Sequence, residues 1–284
     1  MLKKFVLLCL LLAGCGKAPH EISSRPLLLV SIAPYRFLTE RIAGDGFEVR
    51  AVVPMAANPH SFEPTASQVT GMGRGVVWFR IGEPFEAKIL PILKKHNPGL
   101  AVRDLRDGIA LIENGCRHCS VDHLDRHIWL SPKLAAVQAA LIEQTLSEQF
   151  PEQRELFQKN LADLRGELAA LDGEIEEILK PVVHRVILVS HPAFAYFCRE
   201  YRLEQLSVEV EGKDPRPKHL EEILERAVAN SLEVALALPQ HNNKGAQLIA
   251  EKLHIPVRLV DPYSSNYFEA MRKLARLIAD PHAD

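Results

Sequence analysis

The chain has 284 residues, 47% hydrophobic and 25% charged, with 34 basic against 36 acidic side chains. That balance describes a foldable globular protein of one large or two medium domains and not a disordered chain. A formal charge of −2, no clustered Lys/Arg run and only 6% aromatic residues leave nucleic acid without the counterion release or base stacking that would bind it.

At the N-terminus, Lys3 and Lys4 precede the apolar stretch Phe5–Ala13, which is far shorter than the roughly 20 residues of a membrane-spanning helix. Residues 1–14 read as an export signal. Its end, Leu12-Ala13-Gly14-Cys15, resembles the bacterial lipoprotein processing box. That resemblance implies an exported protein on the periplasmic or cell-surface side of a membrane, anchored by lipid on Cys15, with residues 15–26 as a polar tether. A plain secretory signal with a chance cysteine is the alternative.

Leu27–Ile32 is an apolar run suited to a buried parallel strand. A helix over Tyr35–Ala43, a strand over Glu48–Val53, a strand over Val76–Phe79, a helix over Pro84–Lys95 and a strand near Leu100–Val102 follow in β-α-β-α order. Gly71-Met72-Gly73-Arg74-Gly75 precedes a strand instead of following one, so it reads as a turn and not a nucleotide loop. Ser131–Phe150 is a helix opened by Ser-Pro. After Pro151, Phe157, Leu161, Leu164, Leu168, Leu171, Ile175 and Ile178 recur at helical spacing, one apolar stripe on a helix ending near Pro181. Such a stripe also fits a coiled-coil dimer, but α/β patterns on both sides offer it an intramolecular surface, so a monomer is expected.

The second half repeats the alternation. Strands are predicted over Arg185–Val189, Val234–Leu238 and Val257–Val260, and helices over Ala193–Tyr201, Pro217–Asn230, Lys244–Leu253 and Asn266–Ile278. The expected architecture is α/β: two lobes, 27–150 and 181–284, with mainly parallel sheets, joined by one long rigid helix, 151–180, and with a ligand site in the cleft between lobes.

His60, His127, His191 and Asp261 lie just beyond predicted strand ends or in nearby loops, two from each half. Ligands of open α/β sheets bind outside the carboxyl ends of strands, so two facing lobes could bring all four together. Three imidazoles and a carboxylate suit Zn²⁺, with Mn²⁺ or Fe²⁺ as alternatives. Cys116, His118, Cys119 and His123 cluster in the loop before His127 and offer either a second, weaker zinc site or a loop disulfide. Cys198 reads as a small buried hydrophobe. His96, His184, His219, His241 and His254 read as surface or structural, and His241, after Pro239-Gln240 at a strand end, is the one whose assignment most needs checking.

The processing box, Pro59-His60-Ser61-Phe62-Glu63-Pro64-Thr65, His127-Ile128-Trp129-Leu130-Ser131-Pro132, Ser190-His191-Pro192-Ala193-Phe194-Ala195-Tyr196 and Asp261-Pro262-Tyr263 together resemble the periplasmic metal-binding proteins of zinc and manganese ABC transporters. The resemblance spans essentially the whole mature chain. It implies a lipid-anchored solute-binding protein, not an enzyme, that captures a divalent transition metal, zinc first, on His60, His127, His191 and Asp261 and delivers it to an integral-membrane ABC permease. Three departures stand out. Asn58-Pro59 and Asp125-Arg126 replace the family's Asp-Pro before the first two histidines, Arg126 brings a positive charge beside a ligand, and Leu238 stands where a supporting glutamate is usual. Two readings of other classes compete: a metallohydrolase using Asp261 as general base, and a surface adhesin.

Overall fold

The computed structural model describes residues 25–113, 124–182, 185–209 and 216–282. The export signal, Cys15, most of the tether, His184 and the loop residues Cys116, His118, Cys119 and His123 lie outside them.

Two four-stranded parallel sheets form the frame. In the first, β1 (Leu27–Val30), β2 (Glu48–Ala51), β3 (Gly75–Arg80) and β4 (Ala101–Asp104) are ordered β2-β1-β3-β4. In the second, β5 (Val186–Val189), β6 (Glu204–Ser207), β7 (Ala235–Ala237) and β8 (Val257–Leu259) repeat that order as β6-β5-β7-β8. Each central strand is covered on both faces, which is why Leu27–Val30 and Val186–Val189 are apolar at every position and buried throughout. On β5 the two-residue alternation divides the side chains: Ile187 and Val189 join the main core, while Val186 and Leu188 join a smaller cluster with Ile223, Ala227, Ala246 and Ile249. The main apolar core is continuous from β1 to the C-terminal helix, so the two sheets share one interior.

The helices α1 (Ala33–Ala43), α2 (Ala66–Met72), α3 (Pro84–His96), α4 (Pro132–Gln149), α5 (Arg154–Leu179), α6 (Ala195–Glu200), α7 (Pro217–Ala229), α8 (Lys244–Leu253) and α9 (Tyr267–Ala279) complete the described chain. The 26 residues of α5 span about 39 Å at 1.5 Å per residue. Its stripe is buried within this chain, against α1, α4 and α9. The last buried position is Leu179 and not Ile178, which is half-buried. Paired charges tie its middle and later turns to the flanking helices: Arg41 of α1 meets Glu167, and Arg272 of α9 meets Glu174 at 2.6 Å. Glu174 pairs with α9 while remaining exposed, like Glu176 and Glu177 on the solvated face.

Two elements escape the sequence pattern. Helix α2 is only seven residues with one buried side chain, but its start is marked by a capping box in which Thr65 and Gln68 satisfy each other's backbone N–H. Strand β6 is an edge strand whose only fully buried residue is Leu206, too polar a run to stand out. The glycine-rich segment is the end of α2 and the start of β3. At Gly75, where the β1–β3 register shifts, a Cβ would lie 2.7 Å from Leu29 Cδ1 and 3.1 Å from the Met72 carbonyl. Gly75→Ala is expected to cost about 1–3 kcal/mol through overpacking. A urea denaturation midpoint that does not move would contradict that.

Candidate metal centre

Backbone order places the site. His191 and Glu209 follow β5 and β6 by two residues, His241 follows β7 by four, and Asp261 follows β8 by two, so every strand of the second sheet ends in a polar side chain on its carboxyl side. From the other half, His60 sits in the turn before α2, and its N–H donates to Asn58 Oδ1 at 2.9 Å. His127 opens a short 3-10 turn, Ile128–Leu130, with its N–H donating to Asp125 Oδ1 at 2.8 Å.

These loops bring His60, His127 and His191 together with ligand atoms within 4.8 Å of one another. Each ring is fixed from behind by a carboxylate. Nδ1 lies 3.0 Å from Glu83 Oε2 in His60, 2.7 Å from Asp125 Oδ1 in His127 and 2.9 Å from Glu209 Oε2 in His191. A carboxylate can only accept, so each Nδ1 carries the N–H and each Nε2 is left as a bare lone pair. The Nε2 atoms of His60 and His191 face each other at 3.2 Å, and Tyr263 Oη lies 3.4 Å from that of His127.

Two converging lone pairs at that distance repel unless a cation lies between them. Imidazoles bonded through Nε2 to a tetrahedral ion at about 2.0–2.1 Å would hold their nitrogens about 3.3 Å apart and their ring centres about 5.2 Å apart. The three ring centres are separated by 5.3 Å (His60–His127), 5.0 Å (His60–His191) and 5.2 Å (His127–His191). The residues are therefore preset for an ion of zinc's size.

Electrostatics points the same way. Burial alone would lower the proton affinity of His60, but the Glu83 carboxylate more than offsets it and the pKa ends above the ordinary histidine value, against the opposing charge of Arg126. Burial dominates at His191 despite its bond to Glu209 and, with the charges of the neighbouring histidines, brings the ring to about 3. Burial would raise both Glu83 and Glu209, yet their histidine partners hold both low, Glu209 at about 2. The cluster is thus backed by negative charge, with His191 held unprotonated and His60 the ring shifted toward holding a proton.

Asp261 stands apart from the three histidines. It is not among the donors within 4.8 Å of one another, and its Oδ1 accepts from the Gln240 side chain at 2.8 Å and the Tyr263 N–H at 2.9 Å. Sequence reasoning missed Glu83 and Glu209, and placed His241 with the structural histidines. His241 in fact stacks on His191 with ring centres 3.8 Å apart, and its Nδ1 lies 3.3 Å from the same Glu209 oxygen. The concern over Leu238 is met from elsewhere, since Glu209 supplies a carboxylate to His191, and Asp125 performs that service for His127. Cys198 is buried, with burial pushing its thiol pKa up, as a small hydrophobe requires. No helix of the described residues is long and apolar enough to cross a membrane.

The chain is similar to proteins of known class along nearly its whole length. A putative metal-binding protein of Chlamydia trachomatis is 32% identical over 261 residues, 92% of this chain and 93% of its own. The crystal structure of ZnuA superposes with a TM-score of 0.84 at 33% identity, covering 90% of this chain and 98% of that one. A zinc-bound deletion mutant of ZnuA gives the same TM-score and identity, covering 92% and 99%. The model of the periplasmic zinc-uptake complex component A family matches residues 28–280. The chain belongs to that family, the solute-binding proteins of metal ABC transporters, which are transport proteins and not enzymes.

Proposed function

We propose that this protein carries one zinc ion on His60, His127 and His191 and hands it to an integral-membrane permease. The observation that supports this most is the spacing of the three rings, 5.0–5.3 Å between centres, with each Nδ1 held by its own carboxylate. Three nitrogen donors favour zinc over manganese, which prefers oxygen. Asp261 completes the coordination by exchanging its bond from Gln240 for the ion. Export and lipidation at Cys15 keep the carrier, as a monomer, at the outer side of the membrane where the permease opens.

The test is metal analysis of the chain from residue 16 onward, purified without chelator. One zinc per chain is the expected result. Manganese or iron in its place would change the cargo, and no metal even after reconstitution would overturn the proposal.

Protons compete with the ion. Because the pKa of His60 lies above the ordinary value while that of His191 is about 3, lowering the pH from 8 to 6 protonates His60 first and zinc must displace that proton. Zinc affinity should fall across this window, His191 contributing nothing to the fall. Calorimetric titrations giving equal affinity at both ends would contradict histidine coordination. The carboxylates behind the rings should matter too: Glu83→Gln is expected to lower zinc affinity about 10–100-fold by weakening the hold on the His60 ring. A competition titration showing no change would exclude that role.

A further inference from the structure

We propose that Tyr196 is a positioning residue for the metal centre: its hydroxyl, from the second half of the chain, sets where His127 of the first half stands. The inference rests on the proposed function in taking the three histidines as the zinc site.

His127 sits on a stretch entered through a short antiparallel contact. Glu113 and Leu124 pair across it, and the Asp125 N–H donates to the Ile112 carbonyl at 2.8 Å. Residues opposed in this way in an antiparallel ladder exchange two bonds, so the Ile112 N–H would ordinarily meet the Asp125 carbonyl. Instead the Ile112 N–H donates to Tyr196 Oη at 3.0 Å, and that hydroxyl donates to the Asp125 carbonyl at 2.8 Å. One side-chain oxygen replaces a backbone bond and wedges the pair apart, with both backbone groups satisfied. The ring is fully buried. A phenylalanine would fill the same space, and what the hydroxyl adds is these two bonds.

Asp125 carries that position on to the ligand. Its Oδ1 accepts the His127 N–H at 2.8 Å and lies 2.7 Å from His127 Nδ1, so a shift of the Asp125 backbone moves the ring and redirects Nε2. Without the hydroxyl, the Ile112 N–H and the Asp125 carbonyl are free to close onto each other, drawing His127 with them.

The other end of the stretch is held by the same helix. Glu200 Oε2 accepts from the Ser131 hydroxyl at 3.3 Å, and Glu200 Oε1 accepts from Lys133 Nζ at 2.5 Å. Tyr196 and Glu200 are four residues apart on α6 and so share one face. That helix opens four residues after His191. It therefore grips residues 125–131 at both ends and sets His127 against His191.

Tyr196→Phe tests this in the chain from residue 16, in a background carrying Cys116→Ser, His118→Ala, Cys119→Ser and His123→Ala so that those residues cannot bind zinc. Tyr201→Phe is the control, since it removes a hydroxyl that donates to Asp172 of α5 at 2.8 Å and not to residues 125–131. In the metal-free protein, nitrogen NMR of the imidazoles should show the largest shift on Tyr196→Phe at the His127 Nδ1–H. Zinc affinity should fall about 10–100-fold, as for loss of a supporting group. Tyr201→Phe should lower the urea denaturation midpoint yet leave the His127 signal and zinc affinity where they were. If Tyr196→Phe does not fold, Ser131→Ala releases the other end of the stretch and should move the same signal and the same affinity. An unmoved His127 signal overturns the proposal, as does zinc affinity equal to that of the background or an equal fall in Tyr201→Phe. Failure of the background to bind zinc would instead count against the proposed function, and the His127 signal would still decide this inference.

Discussion

His191→Ala is expected to abolish tight zinc binding altogether. The ring supplies Nε2 to the three-histidine cluster and is held by Glu209 through Nδ1, so its loss removes a ligand and leaves the facing Nε2 of His60 with no counterpart. The fall in affinity should exceed the roughly 10–100-fold expected when only a supporting carboxylate is changed. A second readout follows from linkage. An ion that binds the folded chain alone stabilises it by about 4 kcal/mol at a thousand times its dissociation constant, so zinc should raise the melting temperature of the unaltered protein and leave that of the variant where it was. A variant that kept the thermal gain would show that zinc is held elsewhere.

Trp129→Ala should carry the largest cost in stability. The indole is fully buried and bonds the two halves of the chain to each other: Nε1 donates to the Pro262 carbonyl at 2.8 Å, and the Tyr267 hydroxyl donates to the Trp129 carbonyl at 2.6 Å. Its ring lies edge-on to Tyr35 with centres 5.9 Å apart. Truncation opens a cavity and strips the Pro262 carbonyl of its donor, a loss of about 3–5 kcal/mol from packing alone. The ring also neighbours His127 and Tyr263, at 5.3 and 5.5 Å between centres, so zinc affinity should fall with it. Urea denaturation of the metal-free protein checks the first effect, and a cost below about 1 kcal/mol would remove Trp129 from its place as the link.

The architecture was legible because its dominant elements follow simple periodicities. Continuous apolar runs at Leu27–Val30 and Val186–Val189, set in an alternating β-α order, suit strands buried on both faces, and seven apolar residues at helical spacing mark one side of α5. The expected strand over Leu27–Ile32 is two residues too long because Ser31 and Ile32 turn toward α1 while staying buried, and burial is what hydropathy reports. Of the candidate site, the positions beyond strand ends were legible, though not which of those residues come together. His191 and Asp261 were located by their place beyond strand ends, and the same rule picks out Glu209 and His241. Both were passed over because Glu209 sits in an alternating Val-Glu-Val-Glu run that reads as exposed, and because a lone histidine is more often structural. Glu83 was hidden as the residue before a helix-opening proline. What binds these groups is tertiary: Glu83 is 23 residues from His60, and Glu209 is 32 from His241.

X-ray absorption at the zinc edge on the metal-loaded chain tests most directly that imidazoles hold the ion. Three nitrogen scatterers of imidazole type at about 2.0–2.1 Å with an oxygen completing the shell is the predicted result. Sulfur at about 2.3 Å would place the ion on Cys116 and Cys119 and contradict the three-histidine centre.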